Sequence, residues 1–158
     1  MEGRSTYEID MLAHVSAWLM LACGGLFAGG ILFVAVERVN QWRRMPLDQY
    51  VVDFRRSVYR LDPFLPILGT VTTVAAGLFA LNTRGCSAVL AWMGVSLNAA
   101  IIITSIVIAE PINARFRRLL EGQAPANVDQ LRVRWRKFHM VRTAMVLASL
   151  SCLAAAVL

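Results

Sequence analysis

Four long apolar stretches are the feature that most limits how this 158-residue chain can fold. They cover roughly residues 11–36, 64–81, 87–109 and 140–158. An α-helix needs about 20 mainly apolar residues to cross the hydrocarbon core of a bilayer. We therefore expect an all-α integral membrane protein, with four helices forming one bundle and a single membrane domain over residues 1–158.

The composition favours a membrane protein over a soluble one. Hydrophobic residues make up 58% of the chain and charged residues only 16%, whereas soluble domains carry about 25% charged residues. The first stretch is too long to be the apolar region of a cleavable signal peptide. We expect it to stay in the mature protein.

The distribution of positive charges along the chain predicts its orientation in the membrane. Four spans place both termini on one side of the membrane and two longer polar loops, at about 38–62 and 110–137, on the other. Fourteen of the 16 Lys and Arg residues lie in or beside these loops. The positive-inside rule then puts the loops in the cytoplasm and both termini outside the cell (inner) membrane. The same rule explains the Arg clusters as topology and lipid contact, without a nucleic-acid partner.

Both loops contain helical signals. Pro46 can open a helix, and apolar residues then recur at helical spacing opposite a polar face; they are Leu47, Val51, Phe54, Val58 and Leu61. This pattern is typical of an amphipathic helix at the interface. In the second loop, a helix beginning near Val128 can continue into the fourth span, so we expect a cytoplasmic extension of that span.

Small residues in the first span suggest a close helix contact. Gly25 and Gly29 form a small-xxx-small pair, which lets another backbone approach. We expect this face to lie at a helix contact, either within the bundle or in a homo-oligomer. The alternative is that the missing side chains leave room for a flat ligand.

The third span has a polar face. Asn98 lies in its middle, and Asn113 and Ser105 share that side of the helix. An amide in hydrocarbon needs a partner, so this face should point into the bundle. Pro111 removes a backbone donor and disfavours helix at Glu110, which predicts a break or kink there.

Trp135, His139 and Arg142 share one helix face at the entry to the fourth span, because they are spaced i, i+4 and i+7. Ionisable groups at that depth usually face the interior and pair. We expect Glu110, or else Glu37, to supply the counter-charge of Arg142. A purely anchoring role, with an interfacial Trp and a snorkelling Arg, is the alternative.

Metal binding is not indicated. The two histidines, His14 and His139, belong at opposite ends of the bundle, and the three cysteines show no metal-ligand spacing. We interpret the cysteines as packing residues. No cofactor can be named from the residues, and carboxylate-bound metal stays open.

The order Pro111-x-Asn113, then Arg134-Trp135-x-x-x-His139-x-x-Arg142, resembles the pattern of the anthrone oxygenase-like membrane family. The resemblance extends over nearly the whole chain. It implies a small four-span protein, some of whose fungal relatives are associated with oxidising anthrones to anthraquinones without a bound organic cofactor.

The resemblance and the placement of polar residues give the candidate site. The candidate catalytic residues are His139, Arg142, Trp135 and Asn113. The candidate substrate-binding residues are Glu110, Glu37 and Asn98.

Two functions compete at this point. The first is an oxidoreductase for a hydrophobic aromatic or polyketide-type substrate, with His139 removing a substrate proton and Arg142 stabilising the enolate. The second is a non-enzymatic accessory subunit or small-solute carrier. A proton-coupled carrier is disfavoured, because the first three spans contain no mid-membrane carboxylate.

Overall fold

The computed structural model describes residues 2–61, 63–120 and 122–158, with the backbone alone for residues 2–7, 9 and 10. Every regular element among these residues is helical. In chain order they are α1 (Glu2–Phe33), the π-helical segment π1 (Val34–Arg38), α2 (Val39–Arg44), α3 (Leu47–Leu61), α4 (Phe64–Asn82), α5 (Gly85–Thr104), the π-helical segment π2 (Ser105–Ala109), α6 (Glu110–Arg117) and α7 (Val128–Val157).

Four helical stretches of the described chain are long and apolar enough to cross a membrane. The first three predicted spans lie within α1 and π1, within α4, and within α5 and π2, and the fourth lies within α7 except for Leu158. The all-α membrane architecture predicted from the sequence is therefore confirmed. The fourth helix also begins 12 residues before its apolar part, as the predicted extension requires.

Each long helix packs mainly against two neighbours. The contacts run from α1 to α4, from α4 to α5, from α5 to α7 and from α7 back to α1, which closes a four-helix bundle. The start of α1, the α4–α5 connection and the end of α7 lie at one end, which we call the terminal end. The other end carries α2, α3, α6 and the start of α7, and we call it the loop end.

The two ends have different cores. Towards the terminal end, small side chains such as Ala76 and Ala91 pack around Met20 and Leu153. At the loop end, α3 is amphipathic as predicted and buries Val51, Phe54 and Val58. Its apolar face joins a group of five buried rings that we call the aromatic cluster: Trp42, Tyr50, Phe54, Phe116 and Trp135.

The predicted contact at Gly25 and Gly29 is wrong within the described bundle. A Cβ placed on either residue meets no described atom within 4 Å. The close approaches occur at their neighbours: a Cβ on Gly24 would lie 3.1 Å from Thr72, and one on Gly30 would lie 2.9 Å from Leu65. The helix thus turns a different side of its glycine-rich segment towards α4.

The predicted break at Pro111 takes another form. Glu110 keeps helical angles of −60° and −43°, and its N–H bonds to the carbonyl of Ser105 in the wider π pattern of π2. A proline ring clashes with the carbonyl four residues earlier in an α-helix. The π turn widens the helix at that point, so the helix continues from α5 into α6.

The polar face of the third span points inward, as predicted. Gly94, Asn98, Ala109 and Asn113 are all buried. Ser149 of α7 donates a 3.0 Å hydrogen bond to the carbonyl of Gly94, which fixes α5 against α7.

Candidate functional site

A cavity of about 620 Å³ opens at the loop end of the bundle, and we call it the main cavity. Its walls are largely apolar, with Phe27, Leu65 and Ile101 among the side chains that line them. Its polar lining residues include Ser57, Ser105, Glu110, Arg117 and Arg142. The cavity therefore combines an apolar chamber with charged groups of both signs.

Trp135 forms part of the cavity wall and is held from two sides. Its indole Nε1–H donates a buried 3.1 Å hydrogen bond to Oδ1 of Asn113. Its ring stacks on the imidazole of His139, with centroids 4.7 Å apart and planes within 8° of parallel. α6 and α7 are thereby joined at the depth of the cavity.

His139 is completely buried, with a relative exposure of 0%. Its Nε2 lies 3.1 Å from the carbonyl oxygen of Ile31, and its Nδ1 lies 2.7 Å from Nη2 of Arg142. A carbonyl only accepts and a guanidinium only donates. The contacts therefore assign a neutral imidazole that donates from Nε2 and accepts at Nδ1.

The carbonyl of Ile31 lies on α1 just before the π1 segment. In π1 the N–H of Val39 bonds to the carbonyl of Val34, one residue further back than in an α-helix. π segments inside α-helices frequently mark functional sites, and π1 and π2 both lie on the loop-end side of their spans. Here the imidazole of His139 reaches across from α7 to bond α1 beside π1.

Arg142 faces the main cavity, whereas His139 lies behind it. Arg142 is among the lining residues and uses Nη2 to bond His139. Thr143 donates a 2.8 Å hydrogen bond to the carbonyl of His139, which holds the local turn of α7. Both ring nitrogens of His139 are therefore engaged in hydrogen bonds. Through one of these bonds the imidazole holds the Arg142 guanidinium in place.

The ion-pair partners of the two candidate carboxylates differ from the prediction. Glu110 lines the main cavity, but its ion pair among the described residues is with Arg117, two turns further along the same helix face. Glu37 pairs instead with its neighbour Arg38 at 3.3 Å. Among the described ion pairs, neither carboxylate forms with Arg142 the one that the sequence suggested; each pairs with a cation on its own helical segment.

The family model described as anthrone oxygenase matches residues 54–152. The chain belongs to the anthrone oxygenase family. No curated protein and no solved structure matches the chain.

In this anthrone oxygenase family member, the matched segment contains most of the residues that build the site. All residues lining the main cavity fall within 54–152 except Phe27, Val34 and Trp42. The four candidate catalytic residues and Glu110 also fall inside it, and the structure brings Asn113, Trp135, His139 and Arg142 into one connected group. Glu37 lies outside both the matched segment and the cavity lining.

Asn98 lies apart from the main cavity. It is 2% exposed, and its Oδ1 has no hydrogen-bond partner among the described residues. It is not among the residues that line the cavity. Asn98 therefore faces inward as expected but does not join the group formed by Trp135, His139 and Arg142.

Trp42 is a residue of the cavity wall that the sequence analysis did not place at the site. Its Nε1–H donates a 2.6 Å hydrogen bond to Asp53, which also lies 3.4 Å from Arg38. The Trp42 ring meets the Trp135 ring edge-on at 5.5 Å and lines the main cavity. A tryptophan at the end of a span with an aspartate 11 residues later gave no sequence signal for this pairing.

Potential metal ligands do not cluster in the part of the chain that the structure describes. Among residues 2–61, 63–120 and 122–158, no three His, Cys, Asp or Glu side chains lie together in a way that would hold a metal ion. The cavity-lining groups that remain for chemistry are the Glu110 carboxylate, the Arg117 and Arg142 guanidinium groups and the hydroxyls.

Proposed function

We propose that this protein is a membrane-embedded, oxygenase-like oxidoreductase that acts on a hydrophobic aromatic or polyketide-type substrate. The observation that carries the proposal is the main cavity, an apolar chamber with Glu110 and Arg142 in its lining. Family membership supports the same reaction class. An anthrone, a three-ring ketone with an acidic CH₂ group, is the substrate type that fits both.

The volume and the lining of the main cavity suit such a ligand. Small-molecule sites are typically about 300–1,000 Å³, mostly apolar, with a few polar groups that set the orientation. The main cavity, at about 620 Å³, lies within that range. Flat rings would lie against Phe27, Ile101 and Trp135, and the substrate oxygen would face Arg142.

Two of the charged groups in the cavity lining, Arg142 and Glu110, supply the proposed chemistry. A guanidinium beside the ketone oxygen stabilises the enolate that forms when a proton leaves the CH₂ group. We assign the proton acceptor to the Glu110 carboxylate, which shares the cavity lining with Arg142 and is paired with Arg117. The electron-rich enolate then reacts with dioxygen.

The overall reaction balances with dioxygen as the oxidant. The CH₂ group of the ketone becomes a second C=O, and one molecule of O₂ supplies that oxygen and leaves its other oxygen in one molecule of water. An activated carbanion can supply the electrons itself, so the proposal requires no bound organic cofactor.

His139 takes a positioning role in this proposal instead of acting as the base. Its Nδ1 accepts from Arg142, and its Nε2–H is directed to Ile31. To receive a substrate proton it would have to give up Arg142 and become a second buried cation. Holding Arg142 in one orientation is the role that the contacts support.

The proposed location is the inner membrane, with the loop end in the cytoplasm and both termini outside. A substrate of this class dissolves in lipid and would be taken up from the bilayer, and the whole chain would act as one domain. Four apolar helices and the family match support a membrane site for the reaction.

The test is oxygen-dependent turnover by the purified protein in detergent or vesicles. An anthrone should be converted to the anthraquinone with one O₂ consumed per product, above the spontaneous rate in protein-free vesicles. Arg142→Gln and Glu110→Gln should each lower the rate by about a hundredfold or more, the usual effect of removing an electrostatic or acid–base group.

Glu37→Gln is the matched control, because Glu37 is also a carboxylate at the loop end but does not line the cavity. Its rate should equal that of the wild type. Equal rates for wild type, Glu110→Gln and protein-free vesicles would overturn the proposal. A partner protein that co-purifies in fixed ratio, with no turnover by the chain alone, would favour the accessory-subunit alternative.

A further inference from the structure

A second, smaller cavity lies at the loop end between α2, α3 and the start of α7. Its volume is about 190 Å³, and we call it the arginine pocket. Three arginines line it, one from α2 and two from α7: Arg43, Arg132 and Arg136. Asp129 is the one carboxylate among its lining residues.

Arg132 is the most constrained of these cations. Its guanidinium lies over the ring of Tyr50, 4.8 Å from the centroid, in a cation–π contact. Its Nη2 is buried and has no hydrogen-bond partner among the described residues. A buried charged nitrogen without an acceptor is costly, so this position calls for an external oxygen.

The described carboxylates do not pair with the arginines of this pocket. Arg43, Arg132 and Arg136 form no ion pair with a described carboxylate, and neither does Asp129. Three positive charges therefore face one negative charge in a small space. Such an excess attracts an anion.

Tyr50 adds an uncharged polar residue to the lining of the arginine pocket. It is 1% exposed, lines the arginine pocket and makes no hydrogen bond with another described residue. A phenolic hydroxyl can donate a hydrogen bond to a tetrahedral oxyanion, whose oxygens accept several donors at once.

We infer that the arginine pocket binds a phosphate group, carried by an anionic phospholipid or by a soluble phosphate compound. The inference rests on two observations: Nη2 of Arg132 has no hydrogen-bond partner among the described residues, and guanidinium groups are in surplus in the pocket lining. It is independent of the reaction proposed for the main cavity. The small volume admits the head of a ligand and leaves any lipid tails outside. Trp42 and Trp135 line both cavities, so they form the wall between them.

The first measurement is retention of lipid by the full chain. Purified protein in detergent is mixed with phosphatidylglycerol or phosphatidylcholine and its bound lipids are counted by native mass spectrometry. Phosphatidylglycerol should be retained, and Arg132→Gln should weaken its binding about tenfold or more, as expected for loss of a charged hydrogen bond. Phosphatidylcholine should bind less, since its choline cation meets the same arginines.

The second measurement distinguishes the phosphate source. Inorganic phosphate is added to detergent-solubilised wild type and Arg132→Gln, and the midpoint of thermal unfolding is compared with that in chloride at equal ionic strength. A phosphate-specific rise that needs Arg132 identifies a soluble phosphate compound. Lipid retention that needs Arg132, with no such rise, identifies a phospholipid headgroup.

Arg60→Gln is the control, because Arg60 is exposed on α3 and lines neither cavity. It should behave as wild type in both measurements. If Arg132→Gln does not fold, Arg136→Gln serves in its place, and an intermediate loss is expected. Equal binding by wild type, Arg60→Gln and the pocket variants would overturn the inference.

Discussion

Nη2 of Arg142 donates a 2.7 Å hydrogen bond to Nδ1 of His139, while Nε2 of the same imidazole bonds the carbonyl of Ile31. The histidine thus connects a cavity-lining cation on α7 to the backbone of α1. The ring has one donor and one acceptor in its neutral form, and both are used.

Replacing His139 by Phe should keep a flat ring against Trp135 but remove both hydrogen bonds. We expect the free energy of unfolding in denaturant-titrated micelles to fall by about 1–3 kcal/mol, because the buried Ile31 carbonyl loses its donor. Activity should also fall, since Arg142 loses the acceptor that orients it.

The double variant distinguishes positioning from direct catalysis. If His139 acts only through Arg142, then adding His139→Phe to Arg142→Gln should lower the rate little further. Losses that multiply in the double variant would mean that His139 contributes to the reaction by a separate route.

The hydrogen bond between Trp135 and Asn113 supports the same wall of the main cavity. Trp135→Phe removes the 3.1 Å bond but leaves an aromatic ring to stack on His139. We expect a loss of about 1 kcal/mol in the free energy of unfolding. A double-mutant cycle with Asn113→Ala should give a coupling energy of similar size.

Trp92→Phe is the control for that experiment, since Trp92 is 45% exposed. It should change the free energy of unfolding by less than Trp135→Phe. A coupling energy near zero between positions 113 and 135 would show that the bond does not stabilise the fold.

Helical periodicity explains what could be predicted from the sequence. Apolar length fixes the four spans, and spacing alone places Trp135, His139 and Arg142 on one face and Asn98 on the inward face of its span. These features depend only on the period of a single helix, so they can be predicted without knowing which helices are its neighbours.

The partners across helices could not be predicted in the same way. His139 forms a hydrogen bond with the backbone carbonyl of Ile31. Every residue has a backbone carbonyl, so nothing in the sequence identified Ile31 as the partner. The ion pair of Glu110 with Arg117 did have a signal, since a spacing of seven puts the two on one helix face. That local pairing competes with the longer-range partner Arg142.

The contact between Gly94 and Leu153 tests the packing of α5 on α7. A Cβ on Gly94 would lie 2.5 Å from Cδ2 and 2.7 Å from Cγ of Leu153, which is itself 1% exposed. We expect Gly94→Ala to lower the free energy of unfolding by about 1–3 kcal/mol, the usual cost of overpacking. The variant Gly94→Ala with Leu153→Ala should lose little more than Leu153→Ala alone, because the clash is gone.

Gly25→Ala is the matched glycine control. Its Cβ would meet no described atom within 4 Å, and alanine favours a helix over glycine by about 1 kcal/mol. It should therefore leave the free energy of unfolding unchanged or raise it. If Gly25→Ala lowered the free energy of unfolding strongly and Gly94→Ala did not, the glycine face of α1 would be covered in the assembled protein.

The orientation can be tested with cysteines at the two ends of the bundle. Native Cys86 is exposed at the terminal end, and Gln123 is exposed in the loop between α6 and α7. Gln123 is preferable to its neighbour Gly122, whose φ of +77° disfavours a side chain. With the loop end in the cytoplasm, a membrane-impermeant maleimide added to intact cells should label Cys86. It should label Gln123→Cys, made in a Cys86→Ser background, only after the cells are opened. Labelling of position 123 in intact cells would reverse the orientation that the positive charges predict.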